Sequence, residues 1–181
     1  MKKERVVEMS SAEKKFNTIV LLAGLVAVII IILVNIPWSG AGTKIRKEYD
    51  YLEKDHVFVS IKMDDLKEKI SNGETFQLFI GNGNMSDANY FAYYANELAK
   101  EYQVDKIYYL STGKISTDDL AYIRENSINE LSIGVPNMIY FEPSNDGTSK
   151  ASRISGLEDF SGHYGSNYWL LLSDYFKNCY I

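Results

Sequence analysis

The stretch TFQLFIGNGNMSDANYF (residues 75–91) decides how the rest of the chain is read. Its first six residues are nearly all apolar, as in a central strand covered on both faces. Residues 86–102 then place Phe91, Tyr94, Ala95, Leu98 and Tyr102 on one helical face. Between them lies a loop of the kind where many α/β proteins keep their chemistry. Two glycines, three asparagines, Met85, Ser86 and Asp87 fall in or beside it, with no cysteine, histidine or lysine. A phosphate loop needs a lysine after its glycines, and a dinucleotide fingerprint needs a third glycine where Ser86 stands. Neither is satisfied, so the expected role is a turn whose Asn84 or Ser86 caps the following helix.

Working outward, HVFVSI (56–61) alternates Val57, Val59 and Ile61 and reads as a strand. MDDLKEKISNG (63–73) reads as a helix with Met63, Leu66 and Ile70 on one face, a cap from Asp64 or Ser60, and a stop at Asn72-Gly73. KIYYLST (106–112) is a third strand, and ISTDDLAYIREN (115–126) a helix capped by Ser116 or Thr117. GVPNMIYFEP (134–143) and ASRISG (151–156) are two strands joined through Asp146-Gly147, a hairpin signal. NYWLLLSDYFKN (167–178) closes the chain as a helix. The predicted order is β-α-β-α-β-α-β-β-α: an α/β mixed sheet with helices on both faces. Strands separated by helices are expected to pair parallel, and the last two antiparallel.

Ahead of this part, residues 19–36 read IVLLAGLVAVIIIILVNI, with Asn35 the sole polar member. With Phe16 and Trp38 flanking it, such a run crosses roughly 30 Å of hydrocarbon. Lys2, Lys3, Arg5, Lys14 and Lys15 precede it, and Lys44, Arg46 and Lys47 follow. That bias predicts a single-pass plasma-membrane protein with its N-terminus cytoplasmic and its C-terminal part extracytoplasmic. A cleaved signal peptide is the competing reading, since Ser39 and Ala41 form a small-x-small site. The expected divisions are a cytoplasmic segment (1–15), a transmembrane helix in contact with lipid (16–38), a charged stalk (39–54) and a folded domain (55–181).

Charge is uneven. Residues 1–54 carry nine Lys/Arg against six Asp/Glu, and residues 55–181 ten against eighteen. An acidic domain is poorly suited to nucleic acid, because phosphate binding needs clustered cations. Cys179 is the single cysteine, so an internal disulfide is impossible. His56 and His163 are the only histidines, in no ligand spacing, and no metal or cofactor is expected. The acid pairs Asp64-Asp65 and Asp118-Asp119 read as first-turn helix acids.

The order of elements resembles the thioredoxin fold. Proteins of that fold carry Cys-x-x-Cys at the start of the helix after a strand, and a cis-proline before the fourth strand. Ile80-Gly81 ends the strand here, Gly134-Val135-Pro136 precedes NMIYFE, and ISGLEDF (154–160) resembles the strand–Gly–turn leading to the last helix. The stretch also resembles that of the bacteriocin transport accessory proteins, an exported thioredoxin-like group. Aligned on Ile80-Gly81, their two cysteines fall on Met85 and Ala88. Met85 has no ionisable proton and Ala88 has no sulfur, so thiol exchange has no nucleophile at this loop. The resemblance implies a redox-inactive, non-enzymatic domain that binds an exported or membrane protein or peptide, linked to bacteriocin or peptide export. Its implied groove is lined by Gly83, Met85, Ser86, Val135 and Pro136. Two alternatives stay open: an atypical oxidoreductase using Cys179 or a partner's thiols, with a Cys179-linked dimer as one form, and a purely structural exported domain.

Overall fold

The computed structural model describes Val20 and residues 39–84, 86–127, 134–156 and 167–180. The chain divides into two units, Met1–Ser39 and Gly40–Ile181. The expected transmembrane segment lies outside the described residues, apart from Val20. Among the described residues, no helix is long and apolar enough to cross a membrane.

The second unit runs α1 (Ser39–Glu48), β1 (Phe58–Ser60), α2 (Met63–Ser71), β2 (Phe76–Gly81), α3 (Ser86–Glu101), β3 (Ile107–Ser111), a 3-10 turn (Thr112–Lys114), α4 (Thr117–Glu125), β4 (Asn137–Pro143), β5 (Ser149–Gly156) and α5 (Tyr168–Tyr180). The five strands form one mixed sheet in the order β1-β3-β2-β4-β5. As its composition requires, β2 is central and buried along its whole length. It pairs parallel with β3 and antiparallel with β4.

The parallel rule holds for β1, β3 and β2 and fails for β4, although α4 separates β4 from β3. Past α4 the chain runs beside β5, where Ser127 bridges Ala151 in parallel and Ala151 N donates to Asn126 O at 2.7 Å. It therefore enters β4 beside the end at which β2 finishes, Asn137 facing Ile80, and must run the other way. The hairpin to β5 forms at the expected turn. Asp146 Oδ1 accepts from Thr148 N at 2.9 Å, and Gly147 takes a φ of +83° that favours glycine. A bulge the sequence did not announce leaves Ser152 unmatched, since Tyr140 faces Arg153 and Phe141 faces Ala151.

Alternation along β2 separates two cores. Phe79 joins α1, α3 and α5 on one face, while Phe76, Leu78 and Ile80 join Leu66, Ile70 and Ile123 of α2 and α4 on the other. On α5, Leu171, Leu172, Tyr175 and Phe176 are buried as the periodicity predicts.

Three local expectations change. On β1 the buried residue is Phe58, and Val59 faces solvent, because a three-residue edge strand uses only one inward side chain. Helix α2 begins after Lys62 with no side-chain cap, so neither Asp64 nor Ser60 plays that part; Asp64 and Asp65 sit in its first turn. The stretch expected as a stalk puts Ile45, Tyr49 and Leu52 into the first core. Their spacing of four and three residues forms a stripe that packs on the sheet instead of projecting from it. At α4 the cap is Ser116, in a capping box with Asp119.

Candidate functional site at the carboxyl ends of the parallel strands

Strand register brings three loops to one edge of the sheet. Gly81 faces Ser111 and Ile80 faces Asn137. The Gly81–Asn84 loop, the turn after β3 and Val135-Pro136 therefore meet where open α/β sheets usually hold ligands. The Val135–Pro136 peptide bond is cis.

The loop does not lie open. The end of α1 crosses it. A Cβ on Gly81 would fall less than 3 Å from the Tyr49 hydroxyl, and one on Gly83 less than 3 Å from the Glu48 backbone carbonyl. Both glycines are needed for close approach rather than for a left-handed turn. Beneath this contact runs a chain of hydroxyls. Tyr49 Oη donates to Tyr109 Oη at 3.2 Å, and Tyr109 Oη donates to the Glu48 carboxylate. Burial, then the bond to Tyr109, holds the Tyr49 hydroxyl far above the usual phenol range. Burial, then the bond to Glu48, pushes Tyr109 up to about 12. Lys114 approaches the other Glu48 oxygen at 4.0 Å.

Above the chain opens a polar cavity of ≈ 350 Å³, lined among others by Lys47, Asp50, Asn82, Asn84, Asn89 and Lys114. Its rim is held by one local and one long-range hydrogen bond. Asn82 Oδ1 accepts from Asn84 N at 3.0 Å, and Asn89 Oδ1 accepts from Asp50 N at 3.1 Å. Amides, two lysines and two carboxylates in one hollow can hydrogen-bond the backbone or termini of a polar ligand. They supply no thiolate and no histidine.

Of the expected site residues, Gly83 lines this cavity. Met85 lies outside the described residues, as does the side chain of Ser86, which opens α3. Ala88 is fully buried in the first core. Pro136 is buried, and Val135 packs against the second core. The described lining of the cavity includes neither of them.

Cys179 lies in the last turn of α5, in the field of Tyr140, Glu142 and Arg153. Tyr140 faces Gln77, near the start of β2, so the thiol belongs to the opposite end of the strand from Gly81. Burial pushes it up to about 11. His56 links α1 to β1: its Nδ1 accepts from Phe58 N at 3.2 Å, and its Nε2 lies 3.0 Å from Gly42 O. His163 lies outside the described residues.

Sequence reasoning missed Glu48, Tyr49, Tyr109 and Lys114. A signal for Tyr49 existed, since Ile45, Tyr49 and Leu52 recur at helical spacing inside a charged stretch. Nothing local pairs Tyr109 with Glu48, which are 61 residues apart. The chain matches no protein-family model and no curated protein.

Proposed function

We propose that this is a membrane-anchored, extracytoplasmic thioredoxin-like protein without thiol chemistry, which serves as a binding or accessory partner of another exported or membrane protein or peptide. Peptide or bacteriocin export is the setting that the family resemblance implies. The observation that carries the reading is the β2–loop–α3 unit. Its loop sits at the carboxyl ends of the parallel strands, Ala88 fills the first turn of the helix with a core methyl group, and the cavity beside the loop is lined by amides and charges. Two further features support it. Pro136 stands directly before β4, next in register to the end of β2, and β4 and β5 form an antiparallel pair after three parallel strands.

The cavity narrows what the partner offers. With Lys47 and Lys114 against Asp50 and Glu48, it suits a polar, hydrogen-bonding segment better than an apolar one. The test has two arms. The full chain in detergent is assayed for insulin disulfide reduction beside Cys179→Ser, and neither is expected to turn over. A photo-crosslinking residue at Asn84 in the producing cell is expected to trap an exported or membrane polypeptide, with less product in Lys114→Glu. Turnover abolished by Cys179→Ser would overturn the reading in favour of an oxidoreductase.

A further inference from the structure

Aromatic side chains that the site does not use form a continuous outer strip on the second unit. Tyr90 and Tyr93, three residues apart, face solvent on α3, and Tyr94 beside them is half-buried against the first core. Tyr51 meets Tyr90 at 5.0 Å with the rings tilted by 51°, and Tyr94 meets Trp169 of α5 edge-on at 5.8 Å. Tyr51, Tyr90, Tyr93, Trp169 and Leu170 are 49%, 49%, 37%, 38% and 51% exposed. Glu97 follows on the same helix, and Lys100 approaches it at 3.9 Å, which offsets its charge.

We infer that this strip is a bilayer contact, by which the domain lies on the surface of the membrane that anchors it. The inference rests on the anchor proposed above. The apolar run ends at residue 36 and α1 begins at Ser39, so Tyr51 is tied to the end of the run by about 35 Å of chain. A domain on so short a tether meets the bilayer at high effective concentration. Tyr and Trp, with apolar rings and polar tips, are the side chains that settle at the level of lipid headgroups, and Leu170 adds an apolar contact. The occupant is a zwitterionic surface, because residues 40–181 carry twenty-one acids against fourteen Lys/Arg and are repelled by anionic lipid. Docking this strip fixes which way the polar cavity can face a membrane-bound partner.

Trp169 reports the contact directly, because Trp38 is the only other tryptophan. The full chain with Trp38→Phe is reconstituted into phosphatidylcholine vesicles with or without bromine on the upper acyl carbons, and flotation is measured in parallel. Expected is flotation together with a Trp169 emission about twofold weaker in brominated vesicles. In Tyr93→Glu/Leu170→Glu the quenching is lost while flotation stays. Failure to float would overturn the anchor itself. Flotation with unquenched Trp169 would overturn this inference alone, and crosslinked dimers in that case would assign the strip to a second copy of the chain.

Discussion

The Tyr49 hydroxyl rests on Gly81, at a distance that leaves no room for a Cβ between the first helix of the domain and the end of its central strand. One residue pair thus joins a segment that reads as a linker to the loop that reads as a site. Because Glu48 seals Gly83 in the same way, the loop is a packed contact on one side and a cavity wall on the other.

Gly81→Ala and Gly83→Ala should each lower stability by about 1–3 kcal/mol, the usual cost of forcing a methyl group into a filled site. The obstacle at Gly83 is backbone, which cannot rotate away, so its loss should be the larger of the two. Gly113→Ala is the control, as only Ser111 Oγ lies within 4 Å of a Cβ there. Urea unfolding of the three variants distinguishes them. Equal midpoints for Gly83→Ala and Gly113→Ala would show that α1 does not press on the loop.

Alkaline stability should expose the tyrosine chain. Tyr109 is raised in the folded state to about 12, and Tyr49 further, both by burial first. Above pH ~10 the unfolded chain releases protons that the folded chain retains, so stability is intact below that pH and falls as pH rises toward the folded value. Tyr109→Phe removes one of these protons and should flatten the decline. Denaturation midpoints between pH 9 and 12, with phenolate absorbance as a second readout, test it. An unchanged slope in Tyr109→Phe would contradict the burial of this hydroxyl.

Cys179 should be a slow thiol. Raised by burial to about 11, it carries little thiolate at pH 8, so alkylation of the folded chain should run at least about tenfold slower than in denaturant. Mass-spectrometric counting of the labelled fraction over time measures this. Fast labelling, or a reductant-sensitive dimer in freshly purified protein, would restore Cys179 to the list of functional groups.

Asn137 is fully buried, and neither atom of its side-chain amide has a partner among the described residues. Buried amides are normally paired, and an unpaired one costs about 1–3 kcal/mol. Asn137→Leu, similar in size, should therefore be neutral or stabilising by about 1 kcal/mol. A clear loss in thermal or urea stability would mean that the amide is satisfied by bound water.

Much of the architecture was legible because it is written in local patterns. Phe76 to Ile80 announce a central strand, Ser116 with Asp119 a helix start, and Asp146-Gly147 a hairpin. The loop's lack of a thiol is likewise plain from residue types alone. The direction of β4 was not legible, because it depends on where the chain travels after α4 and not on any residue in the strand. On β1 the alternation of Val57, Val59 and Ile61 marked the strand but not its burial: Phe58 is the buried residue, Val57 and Ile61 pack against opposite cores, and Val59 is exposed.

The sequence by itself determined the five strands, the four helices between and after them, their order and the absence of a cysteine at the loop, because these follow from periodicity, turn residues and side-chain functional groups. Only the tertiary structure decided that residues 39–54 belong to the core, that Glu48 and Tyr49 close over Gly83 and Gly81, and that Tyr109 accepts from Tyr49 and donates to Glu48. These are contacts between segments some thirty to sixty residues apart, and packing between distant surfaces leaves no mark on the local pattern of either one.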